Sequence, residues 1–510
     1  MPKLVSITQT GSLTDHERGA DDTLVVNINP PSVFYGDAFS MFDHARGGDD
    51  ILIGANIIGV NVLTGDAHDM HDHTRGGDDT LIGHDNAFNL LVGDASAVMD
   101  GHSHGGDDTL VGGDHSINNL FGDANVMNDY ARGGDDTLIG GSGIGDRNPN
   151  LALYGDAFEM HDHSRGGNDS LTLHGGAGFS FFFGDARIMD GDSRGGDDTL
   201  TLGATGESGV FGDAFSMSEN AHGGDDTITG GGGFNSNVCG DADQMHDNAW
   251  GGNDHVTAVS PFMNNLFGDA RIMDGDSRGG DDTVTGADHS INLLYGDALS
   301  MSGNARGGDD TLIGAELGTL ALSNVLFGDA GSLSGNVRGG NDHLTGGDHS
   351  FNTLFGDASS LAGNGGDDTL IAGEGLDSTN RLYGDASFMS GNASGGNDTL
   401  VSGTGIDHMW GDAQFVDGVA ASPTAPTGTA VTGADTFVFA SGNGADFVYD
   451  FRQSDHDKID VSGYGFHSIA DMVITGTGAD TVIAFDASNS VTLVGLSDPS
   501  VLHASDFLFA

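Results

Sequence analysis

The chain has 510 residues, of which 76 are acidic and only 16 are lysine or arginine, giving a net charge of −60; glycine numbers 88 and apolar residues make up 37%. Self-repulsion of that size opposes a compact state, and it argues against binding nucleic acids or anionic membrane surfaces, which require basic patches. A single cysteine, Cys239, excludes a disulfide framework and a cysteine-based metal site, and no apolar run is long enough to cross a bilayer as a helix.

The opening residues, MPKLVSITQTGSL, lack the charged segment and apolar stretch of a signal peptide, so the expectation is a cytosolic protein or one that leaves the cell by another route. From Gly36 to Gly411 the tripeptide GDA then recurs fourteen times, spaced 27 to 33 residues and most often 28. Between consecutive copies lies GG(D/N)D, found thirteen times from Gly47 to Gly395 and usually eleven residues after the GDA glycine. The wider spacings hold extra residues, GSGIGDRNPNLAL before Gly155 and AELGTLALSNVL before Gly328, which read as loop insertions.

Within a unit the apolar positions are fixed. Leu110 and Val111 follow GGDDT, Leu120 and Phe121 precede GDA, and Met127 lies three residues past the GDA alanine. Patches this short between Gly, Asn and Asp predict three brief strands joined by tight turns, and glycine at this density rules out helix. One unit cannot bury its patches alone, whereas stacked units can. The fold class expected is therefore all-β, a parallel β-solenoid of about fourteen coils of about 28 residues, with the methionine row facing inward. Residues 1–416 form the solenoid. Residues 417–432, with Pro423 and Pro426, read as a linker. Residues 433–510 read as a C-terminal β cap with longer strands at ADTFVF, ADFVYDF, DKIDVSGYG, DTVIAF and SVTLVGL.

The acidic residues fall into three sets. The first acid of each GG(D/N)D is Asp49, Asp78, Asp107, Asp135, Asp197, Asp225, Asp281, Asp309 or Asp367, with asparagine at Asn168, Asn253, Asn341 and Asn397. The second is aspartate in every copy, namely Asp50, Asp79, Asp108, Asp136, Asp169, Asp198, Asp226, Asp254, Asp282, Asp310, Asp342, Asp368 and Asp398, and Asp22 of the related GADD at Gly19 is a candidate with them. The GDA turns contribute Asp37, Asp66, Asp94, Asp123, Asp156, Asp185, Asp213, Asp241, Asp269, Asp297, Asp329, Asp357, Asp385 and Asp412. Four or five aliphatic side chains per coil are a small core, and adjacent carboxylates repel, so a divalent cation between turns is the expected source of stability. Hard oxygen donors beside glycine carbonyls suit Ca²⁺ at several sites better than Mg²⁺, whose octahedron is stricter. The GDA acids could be ligands or could cap turns. Arginine precedes the glycine pair nine times, from Arg18 to Arg338, where pairing with neighbouring acidic rows is expected.

GGDDTLIGG resembles a shortened form of the RTX (repeats-in-toxin) nonapeptide G-G-x-G-x-D-x-U-x. Asp50, Asp79, Asp108 and Asp136 fall at that family's aspartate position, and Leu52, Leu81, Leu110 and Leu138 at its apolar one. GNGADFVYDF and GTGADTVIAF keep the same spacing at Asp446 and Asp480, adding Asp446 to the candidate ligands. The final segment is similar to the capping and type I secretion region of such proteins. The resemblance implies calcium-driven folding outside the cell, export by type I secretion machinery, and a secreted or surface-associated location. It departs from the family in contracting the glycine motif and in using a coil of about 28 residues, so ligand sets do not transfer.

No H-E-x-x-H, G-x-S-x-G or P-loop pattern occurs, and the HDH triplets at His71–His73 and His161–His163 read as exposed loop positions. The expectation is a non-enzymatic, secreted calcium-binding protein with a structural, surface or matrix role and a matrix polysaccharide as a partner class. The alternative is an extracellular enzyme or toxin-like protein, such as a polysaccharide-modifying one, whose site hides in an insertion or in 433–510.

Overall fold

The computed structural model describes residues 11–25, 33–55, 59–141, 151–173, 180–203, 208–230, 237–259, 263–316, 323–423 and 428–510. Most of the first loop insertion, half of the second, and Pro426 lie outside them. The chain divides into two compact units, Met1–Ser260 and Pro261–Ala510. The fold is all-β, 45% strand and 3% helical, with stacked parallel sheets forming a β-solenoid of about 13 turns and ~28 residues per turn.

Each coil in the first unit has three short strands, as in Thr109–Val111, Ile117–Phe121 and Ala124–Met127. Each pairs with its equivalents in the coils before and after, parallel and in register: Leu81 with Leu110 and Leu138, Leu91 with Leu120 and Leu153, Met99 with Met127 and Met160. Side chains alternate along a strand, so the central leucine of each three-residue strand points inward and is sealed. Leu52, Leu81, Leu110, Leu138 and Leu200 are all fully buried, as are Met41, Met70, Met99, Met127, Met160 and Met189. The inward methionine row is as expected. The turn after it needs a left-handed residue: Asp72, Gly101, Asp129, Asp162 and Gly191 have φ between 58° and 72°. That requirement favours Asp and Gly two places past the methionines, with Glu219 taking the same conformation after Met217.

The second unit repeats this plan, and two side-chain ladders, also present in the first, are easy to follow in it. Rings before the GDA turn stack face to face through Phe267, Tyr295, Phe327, Phe355, Tyr383 and Trp410, with centroids 4.7 to 5.0 Å apart. Buried amides link coil to coil, with Nδ2 of Asn292, Asn324 and Asn352 each donating to Oδ1 of the next asparagine at 2.7 to 2.8 Å. The same amides also tie down their own loops: Asn352 accepts from the Gly347 N–H and donates to the Gly347 carbonyl.

Residues 433–510 extend two of the second unit's sheets. Thr436–Val438 pairs parallel with Thr399–Val401, and Ala445–Val448 joins the sheet of Ile406–Trp410. All five expected strands are present, but they are three or four residues long. They are shorter than the sequence pattern suggests because a strand in a stack pairs only over the length its neighbour offers.

Replacing Asn352 by alanine strands a buried N–H and C=O at Gly347 and breaks two links of the ladder, from Asn324 and to Asn380. The expected loss is about 1–3 kcal/mol for each group left unpaired. Urea denaturation followed by Trp410 fluorescence in a Trp250→Phe background measures it.

Candidate metal centre

The corner that joins the GDA strand to GG(D/N)D gathers the acids into three rows. The first acids, Asp49, Asp78, Asp107, Asp135, Asp197 and Asp225 in one unit and Asp281, Asp309 and Asp367 in the other, are exposed. Each carboxylate accepts the backbone N–H of the equivalent residue one coil on, as Asp107 N–H to Asp78 at 3.2 Å and Asp135 N–H to Asp107 at 3.1 Å. The asparagines serve the same bond, and Asn341 and Asn397 also donate Nδ2 to the preceding acid, Asp309 or Asp367, at 3.0 Å. An amide in this row relieves repulsion between neighbouring acids.

The second acids are buried. From Asp50 to Asp398 they are about 1–2% exposed, while Asp22 in the first coil is half-buried. Here the direction of bonding reverses: Asp50 N–H donates to Asp79 Oδ1, Asp79 N–H to Asp108 Oδ1 and Asp108 N–H to Asp136 Oδ1, at 2.5 to 2.6 Å. The GDA acids are buried as well, and each accepts the N–H of the second glycine eleven or so residues later, as Gly134 to Asp123 at 3.0 Å and Gly196 to Asp185 at 2.9 Å. The GDA carboxylates therefore do clip the turn, most with a single oxygen, while Asp37, Asp94 and Asp412 engage both.

Close approach explains the glycines. A Cβ on Gly76 would meet Asp94 Oδ1 at 1.5 Å and Asp66 Oδ2 at 2.7 Å, and one on Gly77 would meet the Gly48 carbonyl oxygen at 1.9 Å. The first glycine of the pair makes room for the GDA acids, and the second for the backbone of the preceding coil. A Cβ on Gly93 would meet Asp108 Oδ2 and the Gly122 carbonyl oxygen, both at 1.8 Å. The absent side chains leave an oxygen-lined gap at every coil.

The electrostatics of that gap are severe. In the first unit, no donor reaches Oδ2 of Asp50, Asp79, Asp108, Asp136, Asp169, Asp198 or Asp226. Along the GDA row, Asp66 lies against Asp94 and Asp123 against Asp156, carboxyl to carboxyl. The second unit repeats the arrangement at Asp310, Asp342, Asp368 and Asp398 and at Asp297, Asp329, Asp357 and Asp385. Burial, reinforced by like-charged neighbours, pushes Asp50 up to about 8 and Asp79 to about 10, and burial lifts Asp94 to about 7. Buried carboxylates so placed must either hold protons or be neutralised by a cation.

One end of the second unit supplies its own cation. Arg452, 2% exposed, donates Nη1 to Asp412 Oδ2 at 2.8 Å and to Asp455 at 3.0 Å. Asp412 ends the GDA row, and although burial raises it to about 7, the guanidinium pulls it down. Its neighbour Asp385, beside no such charge, is held well above the usual range by burial and adjacent acids.

The donor set fits a hard divalent ion. It consists of orphaned carboxylate oxygens next to glycine carbonyls, with no sulfur or imidazole among them. Among the described residues, no group of three or more His, Cys, Asp or Glu side chains converges as a metal site, so an ion here would need backbone carbonyls to complete its shell. Asp446 stands apart from the three rows: it accepts from Asn443 and from the Asp407 N–H, continuing the amide ladder. The structure adds Asp435, Asp450 and Asp457, whose carboxylates accept the N–H of Asp398, Gly411 and Asp435. The signal for Asp435 was Gly433-Ala434-Asp435-Thr436, which keeps the second glycine, the second acid and the following threonine of the repeat.

Of the arginines before the glycine pair, Arg18 approaches acids, Asp21 at 3.4 Å and Asp49 at 4.0 Å, while Arg46, Arg75, Arg132, Arg165 and Arg194 border surface hollows instead. His71 and His161 of the HDH triplets are half-buried and bond to Asp100 and Asp190 in the next coil, whereas His73 and His163 are exposed. Comparison with protein-family models and with curated proteins finds no match to this chain.

Two outcomes follow. The folded-state values of Asp50, Asp79 and Asp94 lie above the ordinary 3.8, so the folded chain keeps protons that the unfolded chain releases. Metal-free stability therefore falls as pH rises from 3.8 through 7 to 10. Far-ultraviolet circular dichroism in chelator should show most β-structure at about pH 4 to 5 and a loss above neutrality. Replacing Arg452 by methionine leaves Asp412 and Asp455 uncompensated, and Trp410 fluorescence under urea should report a loss of about 3–5 kcal/mol in the second unit.

Proposed function

We propose that this chain is a non-enzymatic calcium-binding repeat protein of RTX type, exported with its repeats loose and folded where calcium is plentiful. The observation that carries the reading is the pair of buried carboxylate rows whose inward oxygens meet no donor, beside glycine carbonyls in each gap. Asp66, Asp79, Asp94 and Asp108, with the Gly93 carbonyl, would hold an ion between successive coils, and their equivalents would do so along each unit. A bound Ca²⁺ supplies the positive charge that lets neighbouring carboxylates stay ionised in contact. Calcium suits this set through its flexible coordination by six to eight oxygens.

Folding would then be linked to the ion. At low calcium the acids repel and the coils stay open, a state suited to threading through type I secretion machinery. At extracellular calcium, about 10⁻⁴ to 10⁻³ M for modules of this kind, the same acids become cross-links. The resemblance of residues 433–510 to the family's export region supports the secretion route. The role proposed is structural, on a cell surface or in a matrix. No helix among the described residues is long and apolar enough to cross a membrane.

Calorimetric titration of chelated protein at neutral pH, read beside circular dichroism, tests the reading. Several ions should bind with a midpoint in that range as β-structure appears. Complete β-structure in chelator at neutral pH, with no ion taken up on titration, overturns it.

A further inference from the structure

In the first unit the residues just before the glycine pair build a second feature, on the surface. Arg46 bridges Arg75 in parallel, and Arg132 bridges Arg165, which bridges Arg194. Two residues upstream a row of exposed rings runs beside them: His44, His73, His102, Tyr130 and His163, with centroids 4.8 to 5.2 Å apart. Two hollows of about 520 and 380 Å³ lie along these rows. Of sixteen basic residues in the whole chain, six fall on this stripe, from Arg18 to Arg194.

We propose that this slot binds a single chain of an acidic polysaccharide, a uronate polymer laid along the stack. The arginine row offers only donors, and each guanidinium can take a carboxylate through two parallel N–H bonds. Successive coils are spaced as paired strands, about 4.8 Å apart, which is close to the ring-to-ring repeat of a polymer carrying one carboxylate per sugar. His104 and His222, in the arginine row itself, are held below the usual histidine range by burial and by the adjacent arginines, so the row's charge at neutral pH comes from arginine. Along the neighbouring row the rings face one another and present mainly edges. Imidazole and phenol edges can hydrogen-bond sugar hydroxyls, as can Asp192, which already bonds Asn220 and lies 3.3 Å from His163.

The same geometry disfavours a nucleic acid. Single strands bind by stacking bases on free aromatic faces, and here each inner ring has its faces turned to its neighbours. The exposed acids Asp78, Asp135 and Asp197 stand three residues past Arg75, Arg132 and Arg194 and confront any anion wider than one chain. Charge elsewhere is screened beyond about 8 Å at physiological ionic strength. The inference gives the matrix role proposed above a ligand class, but it rests on the fold of the first unit and not on which ion fills the core.

The test is calorimetry of the full-length protein with hexagalacturonate at physiological ionic strength, with circular dichroism confirming that the protein is folded. The oligomer should bind, and its methyl ester should not. Arg132→Gln/Arg165→Gln/Arg194→Gln should weaken binding at least about tenfold, while Arg306→Gln/Arg338→Gln, in a stretch of the second unit without the ring row, should leave it unchanged. Equal affinity in the folded triple variant, equal binding of the ester, or stronger binding of an oligothymidylate of similar charge overturns the proposal. A protein that takes up calcium and folds but ignores the uronate refutes this inference alone. One that binds the uronate while fully folded in chelator refutes the calcium reading alone.

Discussion

Carboxylates buried in contact with other carboxylates set the terms for everything else in this protein. Each coil brings one GDA acid and one second acid into a gap floored by glycine backbone, and most of these acids spend one oxygen on a backbone N–H of a neighbouring segment. That bond makes the acid a structural clip, and it also fixes the other oxygen in a place where water does not reach. A buried charge without a partner is among the costliest arrangements in a folded chain. The repeat therefore has a stable interior only when protons or cations occupy it. Arg452 shows the second solution realised within the chain, at the end of one row.

Homotypic stacking explains why one arrangement can be good at some positions and hazardous at others. Asparagine above asparagine forms a ladder in which each amide is both donor and acceptor. Ring above ring gains contact area, and methionine above methionine fills the core with adaptable side chains. Aspartate above aspartate has no such self-complementarity, since an ionised carboxylate only accepts. The two acidic rows differ in how they respond. The exposed row admits asparagine, whose amide donates to the acid before it. The buried row is aspartate in every copy, although an amide there would have the carbonyl of a GDA glycine beside it and could fill the gap without charge. Retaining the charge is what a cation site requires and what simple packing does not.

The surface follows the same arithmetic of registration. A residue type that recurs once per coil becomes a continuous row, so a modest bias in composition becomes a directional feature. The arginines and rings before the glycine pair are few, yet they lie in line because the backbone bridges beneath them are in register. The resulting slot is defined by a spacing, and its specificity would be for a polymer with a matching repeat.

The sequence by itself determined the period, the three strands per coil, the inward leucine and methionine rows, and the oxygen-only character of the acids, because each follows from a pattern along the chain that stacking merely repeats. Only the tertiary structure decided which acid of each pair is buried, that most GDA acids clip a turn with one oxygen and leave the other without a donor, that Arg452 ends a row, and that Asp446 belongs to the amide ladder. Those outcomes depend on contacts between residues a full coil or more apart, where the close approach of glycine backbones, not local pattern, settles which side of the corner faces water.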